Sequence, residues 1–491
     1  MTLWTVLWIA LPFLVGFGLY LLPQGDRSFK LINYRALALG VTLLSLAYAT
    51  TLFLQPAPLS LSLLDSFGVT LLADNLSAFF ILTNALVTAA VILYCWGTDK
   101  ATFFYAQAII LHGSINAVFI CADLLSLYVA LEVIGIAAFL LIAHPRTNRS
   151  LWVALRYLFI SNTAMLFYLI GAVLVYQTHQ SFAFAGLRGA SPEAQTLIFL
   201  GLLVKGGIFV SGLWLPQTHS EAESPVSALL SGVVVKAGVF PLVRFALTVE
   251  TLDPAVRLFG VAAAVLGVLY ALVETDTKRV LACSTLSQVG WIMAIPEAAG
   301  FYALAHGLGK AALFLVVGKL PSRNLTVLGQ QPIDTAYWVP LALGSFSISG
   351  FPFLAGFSAK MLTLKQGLPW QVAVLNGAAV GTAILYAKFV CLPHCRAPRA
   401  DGWAAQPGLW RALALLLGAL LIANLGYLDA YAPGNIVKAL VIIGLGYLVH
   451  WLVIQRISLA LPRVMERFDH LVGSMSLVLL LLFGITWSWL V

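Results

Sequence analysis

Residues 196–214 read TLIFLGLLVKGGIFVSGLW, an unbroken apolar run with one lysine, Lys205, at its centre and Gly206, Gly207 and Gly212 behind it. Residues 127–143, LYVALEVIGIAAFLLIA, hold Glu132 in the same way. Apolar runs of about 20 residues match a membrane-crossing helix, whereas the strands of a membrane barrel are ~10 residues long and alternate. The rest of the chain is of the same kind. Its 491 residues are 61% hydrophobic and 9% charged, against about 25% charged in a soluble domain. One soluble core cannot hide that excess, because cores stop growing near ~250–300 residues. In lipid the backbone must satisfy its own hydrogen bonds. The sequence therefore predicts an all-α polytopic membrane protein.

The net charge of +8 does not point to nucleic acid. The basic residues lie between apolar runs, form no contiguous patch and read as topology signals. Five cysteines in so long a chain make no disulfide framework. Cys391, His394 and Cys395 lack the fourth ligand and matching pair of a metal site, so no metal is expected. The first apolar run has neither a basic n-region nor an A-x-A site, and reads as a retained span.

About sixteen runs of spanning length follow one another. They lie near 3–22, 32–54, 71–95, 102–120, 122–143, 152–176, 195–215, 223–247, 255–274, 279–297, 299–318, 336–364, 369–392, 409–428, 433–455 and 471–490. With the N-terminus outside, Arg27, Lys30, Lys100, Arg146, Arg149, Lys278, Arg279, Lys319, Arg323, Arg396, Arg399, Arg456, Arg463 and Arg467 fall inside. Mainly Arg188, Arg257 and Lys365 fall outside, so both termini are expected on the non-cytoplasmic side. Two runs carry helix breakers: Gly206, Gly207, Gly212 and Pro216 in one, Gly344, Gly350, Pro352 and Gly356 in the other. Broken helices survive in a membrane only beside a wet or protein-walled cavity, and paired breaks point to inverted repeats around an ion site. Close helix packing is the competing account of these glycines. The expected organisation is N-terminal helices in 1–101, a first repeat in 102–247, a second in 255–392 and C-terminal helices in 409–491.

Charges at mid-bilayer cost about 2.5–3.5 kcal/mol each on insertion scales. Glu132, Lys205, Lys236, Lys310, Lys360 and Lys388, with His112 and His306, all lie inside apolar runs. Such groups must face one another or water. Snorkelling is the alternative for Lys360 and Lys388, nearer helix ends, and the better account of Lys438. Desolvation disfavours a charged lysine and a nearby carboxylate favours it, so a movable Glu–Lys pair can load and release a proton near neutral pH. Glu132 with Lys205 fits that description. His306 and Lys310, four apart, share one helix face and suit a relay at the repeat boundary; a polar packing contact is the alternative.

The stretch LLVKGGIFVSGLWLPQTHSEAESPVSALLSGVVVKAGVFPLVR (202–244) resembles the signature of the antiporter-like membrane subunits. Respiratory complex I, its photosynthetic relative and the Mrp-type cation/proton antiporters share them. DLLSLYVALEVIGIAAFLLI, DTKRVLACSTLSQVGWIM, ALAHGLGKAALFLVVG and GFPFLAGFSAK extend the likeness over about residues 70–365 in the same order. The resemblance implies about fourteen core transmembrane helices with two inverted repeats and two broken helices, to which this chain adds about two at its C-terminus. It also implies roles. Glu132 matches the glutamate partner of Lys205, Lys236 the central lysine, His306 and Lys310 the connecting pair, and Lys360 the terminal lysine. Asp74, His219, Arg244, Gln288 and Lys388 are accessory candidates.

The sequence departs from the family at three places. Val210 stands where a proline is usual, Glu223 replaces one of two prolines, and Gln288 stands where many complex I relatives have histidine. Gln288, and a connector at 456–470 (RISLALPRVMERFDH) too short for a long lateral brace, favour the Mrp D-type subunit. The chain has no iron–sulfur cysteine spacing, nucleotide loop or flavin fingerprint. No cofactor is expected in it, and any redox chemistry belongs to partners. The expected function is proton translocation, with or without Na+, as one subunit among other membrane subunits of an antiporter or a complex I-like assembly. A stand-alone solute transporter and a transport-dead scaffold subunit are the competing classes.

Overall fold

The computed structural model describes residues 2–21, 33–63, 68–396, 406–456 and 467–488. The helices are α1 (Thr2–Leu21), α2 (Tyr34–Leu54), α3 (Asn75–Cys95), α4 (Thr102–Val118), α5 (Leu124–Ile142), α6 (Asn148–His179), α7 (Pro192–Gly206), α8 (Leu215–Glu221), α9 (Ser224–Leu229) and α10 (Val235–Thr248). They continue as α11 (Asp253–Val273), α12 (Thr277–Ala294), α13 (Ala299–Val317), α14 (Leu325–Leu328), α15 (Thr335–Ser349), α16 (Ala355–Gln366), α17 (Pro369–Val390), α18 (Pro407–Leu425), α19 (Pro433–Val449) and α20 (Phe468–Ser488). Twelve of the described helical segments are long and apolar enough to cross a membrane. The protein is an integral, multi-pass membrane protein. Arg27, Lys30, Arg399 and Arg463 of the orientation argument, and residues 457–466 of the connector, lie outside the described residues.

Polar caps start the helices. Asp74, Asp123, Thr147, Ser191 and Asp276 each accept from a backbone N–H of the first turn of α3, α5, α6, α7 and α12, satisfying donors that lipid could not. One expectation fails at such a cap. The run near 71–95 is not all helix: Thr70–Ala73 is strand β2, antiparallel to β1 (Leu59–Ser62), and the helix begins after Asp74. An apolar run of four residues cannot be assigned by periodicity alone. Here pairing with the alternating LSLS of β1 decides. Ile333–Asp334 (β3) pairs in parallel with His394–Cys395 (β4), so the Cys-Leu-Pro-His-Cys run ends as a short edge with both cysteines exposed.

Both breaks form, by the same device. α7 ends at Gly207 (φ 63) and α15 at Gly350 (φ 87). Ile208 N then donates to Leu203 O, and Phe351 N to Phe346 O, in Schellman fashion. A phenylalanine in left-handed geometry follows each: Phe209 (φ 54) and Phe353 (φ 73). Left-handed backbone is unusual for a bulky residue. Val210, the missing proline, is therefore not needed: glycine at the cap ends the helix, as the sequence suggested.

Burial grades the helices. The most apolar 18-residue stretches of Ser224–Thr248 and of Pro296–Val317 are wholly buried, while those in α1 and in Pro433–Ile454 are 28% buried. A helix apolar on every side belongs inside a bundle. The two innermost segments carry Lys236, His306 and Lys310.

Candidate ion pathway

Lys205 ends the last turn of α7, two residues before the glycine cap, and is 3% exposed. Its Nζ donates to Ser161 Oγ of α6 at 2.6 Å. It also lies over Gly135 of α5, where a Cβ would come within 3.0 Å of Nζ. Gly135 is one turn beyond Glu132, so the expected partners meet at the same level of α5. They are not latched. Glu132 Oε1 is buried without a hydrogen-bond partner among the described residues, and Lys205 is held by serine instead. A narrow void beside Lys205 is lined by Tyr157, Ile160, Ser161, Val204 and Trp214, and the Tyr157 hydroxyl is likewise unpartnered among the described residues.

Lys236 begins α10 directly after a π-helical turn, Leu230–Val234. Such turns interrupt the regular ladder and are frequent at functional sites. Lys236 Nζ donates to Ser231 O at 3.2 Å and Gly232 O at 2.6 Å within that turn, and faces His306 Nδ1 of α13 at 3.2 Å. His306 Nε2 is unpartnered among the described residues. Lys310, a turn further, does not continue the same contact. Its Nζ donates to Leu281 O of α12 at 2.8 Å and lies 5.6 Å from the Tyr386 ring centroid. Lys360 of α16 reaches back across the second break to donate to Ser349 O at 3.2 Å, with its ammonium 5.3 Å from the Trp291 ring centroid. Lys360 is buried, so snorkelling is not its arrangement.

The accessory residues divide. His219 on α8 is fully buried and stacked on Phe314 at 4.7 Å, with neither ring nitrogen hydrogen-bonded among the described residues. Gln288 accepts from the Tyr302 hydroxyl at 2.7 Å. Asp74 and Arg244 form a bidentate ion pair, with Ser77 Oγ as a further acceptor for Arg244 at 3.0 Å. Burial alone would raise the Asp74 carboxyl; the Arg244 guanidinium outweighs it and leaves the group below its ordinary value. Lys388 donates to the carbonyls of Ala271, Leu272 and Glu274 at 2.5–3.4 Å. It caps the C-terminal end of α11, where the macrodipole favours a cation.

His112 lies in a closed polar ring apart from the lysines. Its Nε2 meets Ser45 Oγ at 2.8 Å and Asn116 Nδ2 at 3.1 Å, and its Nδ1 meets Thr88 Oγ1 at 3.3 Å. Asn84 of α3 closes the ring by donating to Asn116 Oδ1 at 2.8 Å. Val87, one turn on from Asn84 in α3, packs against Gly232.

Several polar groups escaped the sequence reading. Ser161 is Lys205's acceptor. Arg156 is a buried charge within α6, at 6% exposure. Ser345, Ser347 and Ser349 of α15 are buried, with hydroxyls unpartnered among the described residues. Hydroxyls at every second position of SFSIS were the available signal. Glu223, noted only as a missing proline, ties three segments together. It accepts from Lys100 Nζ at 2.5 and 2.6 Å and lies 3.6 Å from His144 Nδ1. The His144 imidazole and the Lys100 ammonium, acting against burial, hold its carboxyl down to about 2. A carboxyl depressed in the folded state contributes stability above its ordinary value of about 4.3 and loses it as pH falls toward its folded value. The thermal stability advantage of the native protein over Glu223→Gln, in detergent, is therefore expected to stay constant from about pH 9 to about pH 5 and to shrink on further acidification.

With this geometry in view, comparison with known proteins is direct. NAD(P)H-quinone oxidoreductase chain 4 1 of Synechococcus sp. (strain JA-3-3Ab) is 27% identical over 425 residues, 79% of this chain and 80% of its own. The D-type Na(+)/H(+) antiporter subunit of Alkalihalophilus pseudofirmus is 25% identical over 415 residues, 77% of this chain and 84% of its own. A chain in the structure of the membrane-bound sulfane sulfur reductase, an archaeal respiratory membrane complex, superposes with a TM-score of 0.74 at 21% identity, over 90% of this chain and 99% of that one. The family described as NADH:quinone oxidoreductase/Mrp antiporter, TM, matches residues 121–385, the part that holds Glu132, both broken helices and every lysine from 205 to 360. By that match, which covers more than half its length, the chain belongs to the NADH:quinone oxidoreductase/Mrp antiporter transmembrane family.

Proposed function

We propose that this chain is a proton-translocating membrane subunit and that its path runs from Glu132 and Lys205 through Lys236 and His306 to Lys360. The observation that carries this reading is the 3.2 Å approach of Lys236 Nζ to His306 Nδ1, both buried, between the two innermost helical segments. Two titratable nitrogens so placed can exchange a proton directly, and burial keeps competing water away. Lys310 is a side station on the Leu281 carbonyl that biases His306 by its charge. His219 is the uptake residue between Lys310 and the rim formed by Glu221, Glu223 and Lys278. Residues 102–247 and 255–392 are the two repeats, each with one broken helix, and both termini lie on the non-cytoplasmic side.

The host assembly is an Mrp-type antiporter in which this chain is the D-type subunit, in keeping with Gln288 and with the antiporter relative. The second reading, a complex I-like quinone oxidoreductase, draws on the chain 4 relative. In either host the driving force comes from neighbouring membrane subunits. Glu132 supports such neighbours: it lies on the face of α5 where Val129 and Ile136 are 54% and 53% exposed. The test is cation-dependent proton flux in everted vesicles containing the native complex. Lys236→Leu and Glu132→Gln are each expected to lower it at least tenfold without loss of the subunit from the complex. Unchanged flux in either variant would remove that residue from the path.

A further inference from the structure

The two broken helices share a backbone device but hold it differently. At each break a phenylalanine follows the glycine cap in left-handed backbone, Phe209 at φ 54 and Phe353 at φ 73. A bulky side chain stays in this region only where its surroundings hold it. At the first break, Phe209 is half-buried, with its ring 5.9 Å from that of Phe259 in α11. At the second, Phe353 is 72% exposed, so side-chain packing supplies little of the hold. A hydrogen bond supplies it instead: Phe353 N donates to the Tyr431 hydroxyl at 2.8 Å. Tyr431 belongs to the short turn Leu428–Tyr431 between α18 and α19.

The same hydroxyl reaches α16. Asn424 Nδ2, in the last turn of α18, donates to it at 2.6 Å, and Asn424 Oδ1 accepts from Ser358 Oγ of α16 at 2.9 Å. Asn424 and Ser358 are buried, and the buried Phe357 ring lies 4.8 Å from that of Tyr431. α16 is thus gripped on two faces. Gly356 and Lys360, one turn apart, face α15: a Cβ on Gly356 would run into Ser347 O, and Lys360 Nζ donates to Ser349 O at 3.2 Å. Ser358, about 200° around the helix from both, faces α18. The second grip matters because α16 is short, at 12 residues, and its N-cap, Leu354, offers no side-chain hydrogen bond. In the link before it, Phe351 N donates to Phe346 O, Pro352 has no N–H, and Phe353 N has Tyr431.

We propose that Tyr431 is a positioning residue for Lys360. Its hydroxyl latches Phe353 in left-handed backbone and, through Asn424 and Ser358, sets the rotation of α16, so that the Lys360 ammonium meets the Ser349 carbonyl across the break. Without the hydroxyl, Phe353 relaxes toward extended backbone, the buried Asn424 amide loses a partner, and α16 turns with Lys360 on it. Asn424 and Tyr431 both lie beyond residue 385, where the family match ends. The C-terminal helices therefore act on the last station of the path as well as flanking it. This role in transport rests on the proton-path reading; the latch itself does not.

Amide hydrogen exchange and proton flux, both on the intact complex, test it. Tyr431→Phe keeps the ring and removes the hydroxyl. The backbone amides of 353–358 are expected to exchange at least tenfold faster in that variant than in the native complex. Its flux in everted vesicles is expected to fall at least tenfold with the subunit still assembled. Phe353→Gly/Tyr431→Phe is expected to recover flux to within about twofold of native, because glycine adopts positive φ without a side-chain penalty. A packing role for Tyr431 would not be repaired by a change at residue 353. Unchanged exchange in Tyr431→Phe overturns the latch. Native flux in Tyr431→Phe, or a loss that Phe353→Gly fails to restore, overturns the positioning role. Native flux in Lys236→Leu overturns the proton path instead, and the exchange measurement still decides the latch.

Discussion

Lys205→Ala is expected to abolish coupled proton movement, at least a hundredfold by fluorescent-dye quenching in everted vesicles, while the complex still assembles. The size follows from the site. Lys205 is the one titratable group of α7 that is buried in the span, and among the described residues its ammonium has a single hydrogen-bond acceptor, Ser161. Alanine leaves Glu132 facing a void beside Tyr157 and Ser161, with no group to take its proton. The fold should bear the change. The ammonium closes no ion pair within 4 Å among the described residues, and the break behind it is held by the Gly207 cap and the Ile208 N–H, not by the lysine. Lys205→Arg should not rescue, because a guanidinium does not release its proton at any working pH. Loss of the subunit from the complex in Lys205→Ala would show that the lysine holds the structure, and retained flux would show that Glu132 has another partner.

Gly238→Ala is expected to have the larger effect on the protein itself. A Cβ at Gly238 would overlap the Gly206 backbone N and lie 2.6 Å from Gly206 Cα and 2.8 Å from Leu202 O. These are backbone atoms at buried positions, so no flexible side chain can yield. Overpacking a core costs about 1–3 kcal/mol, occasionally more, even where side chains can move. Gly206 and Gly238 lie within two residues of Lys205 and Lys236. Their close approach therefore also sets the spacing between the two lysines. The expected outcome is a Tm several degrees lower, reduced complex yield, and coupled flux reduced at least tenfold in the complex that remains. A variant with native Tm and native flux would show that α7 and α10 separate freely.

These residues also show what the sequence could and could not announce. The spans were legible because lipid demands long apolar runs, and most predicted boundaries fall within a few residues of a helix end. Both breaks were legible because glycine and proline fall together in the two runs, a pattern that close packing alone does not require. Strand β2 was not, since TLLA carries no periodicity and only its pairing with β1 assigns it. Lys205, Lys236, Lys310 and Lys360 could be named because a charge in an apolar run has few explanations. Their contacts could not. The approach of Lys236 to His306, the carbonyl that holds Lys310 and the serine that replaces Glu132 beside Lys205 all depend on which helices touch. Lys388 had the composition of a path residue and the geometry of a helix cap. The serines of α15 were invisible for the opposite reason: hydroxyls are ordinary in membrane helices, and only their missing partners set them apart.

The ion pairs that join distant helices carry a consequence for how the protein is made. Lys100 pairs with Glu223 across 123 residues, and Asp74 with Arg244 across 170. The second interval encloses the first. As the chain leaves the ribosome, α3 and the loop after it enter the membrane with a carboxylate at one end and an ammonium at the other, both without their partners. The inner pair can close only once residue 223 has emerged, and the outer pair only after α10 follows it. The N-terminal bundle must therefore wait, charged at both rims, until the Lys205 and Lys236 helices are delivered. A chain arrested before residue 223 holds neither clamp, which makes this interval the part of synthesis most exposed to quality control.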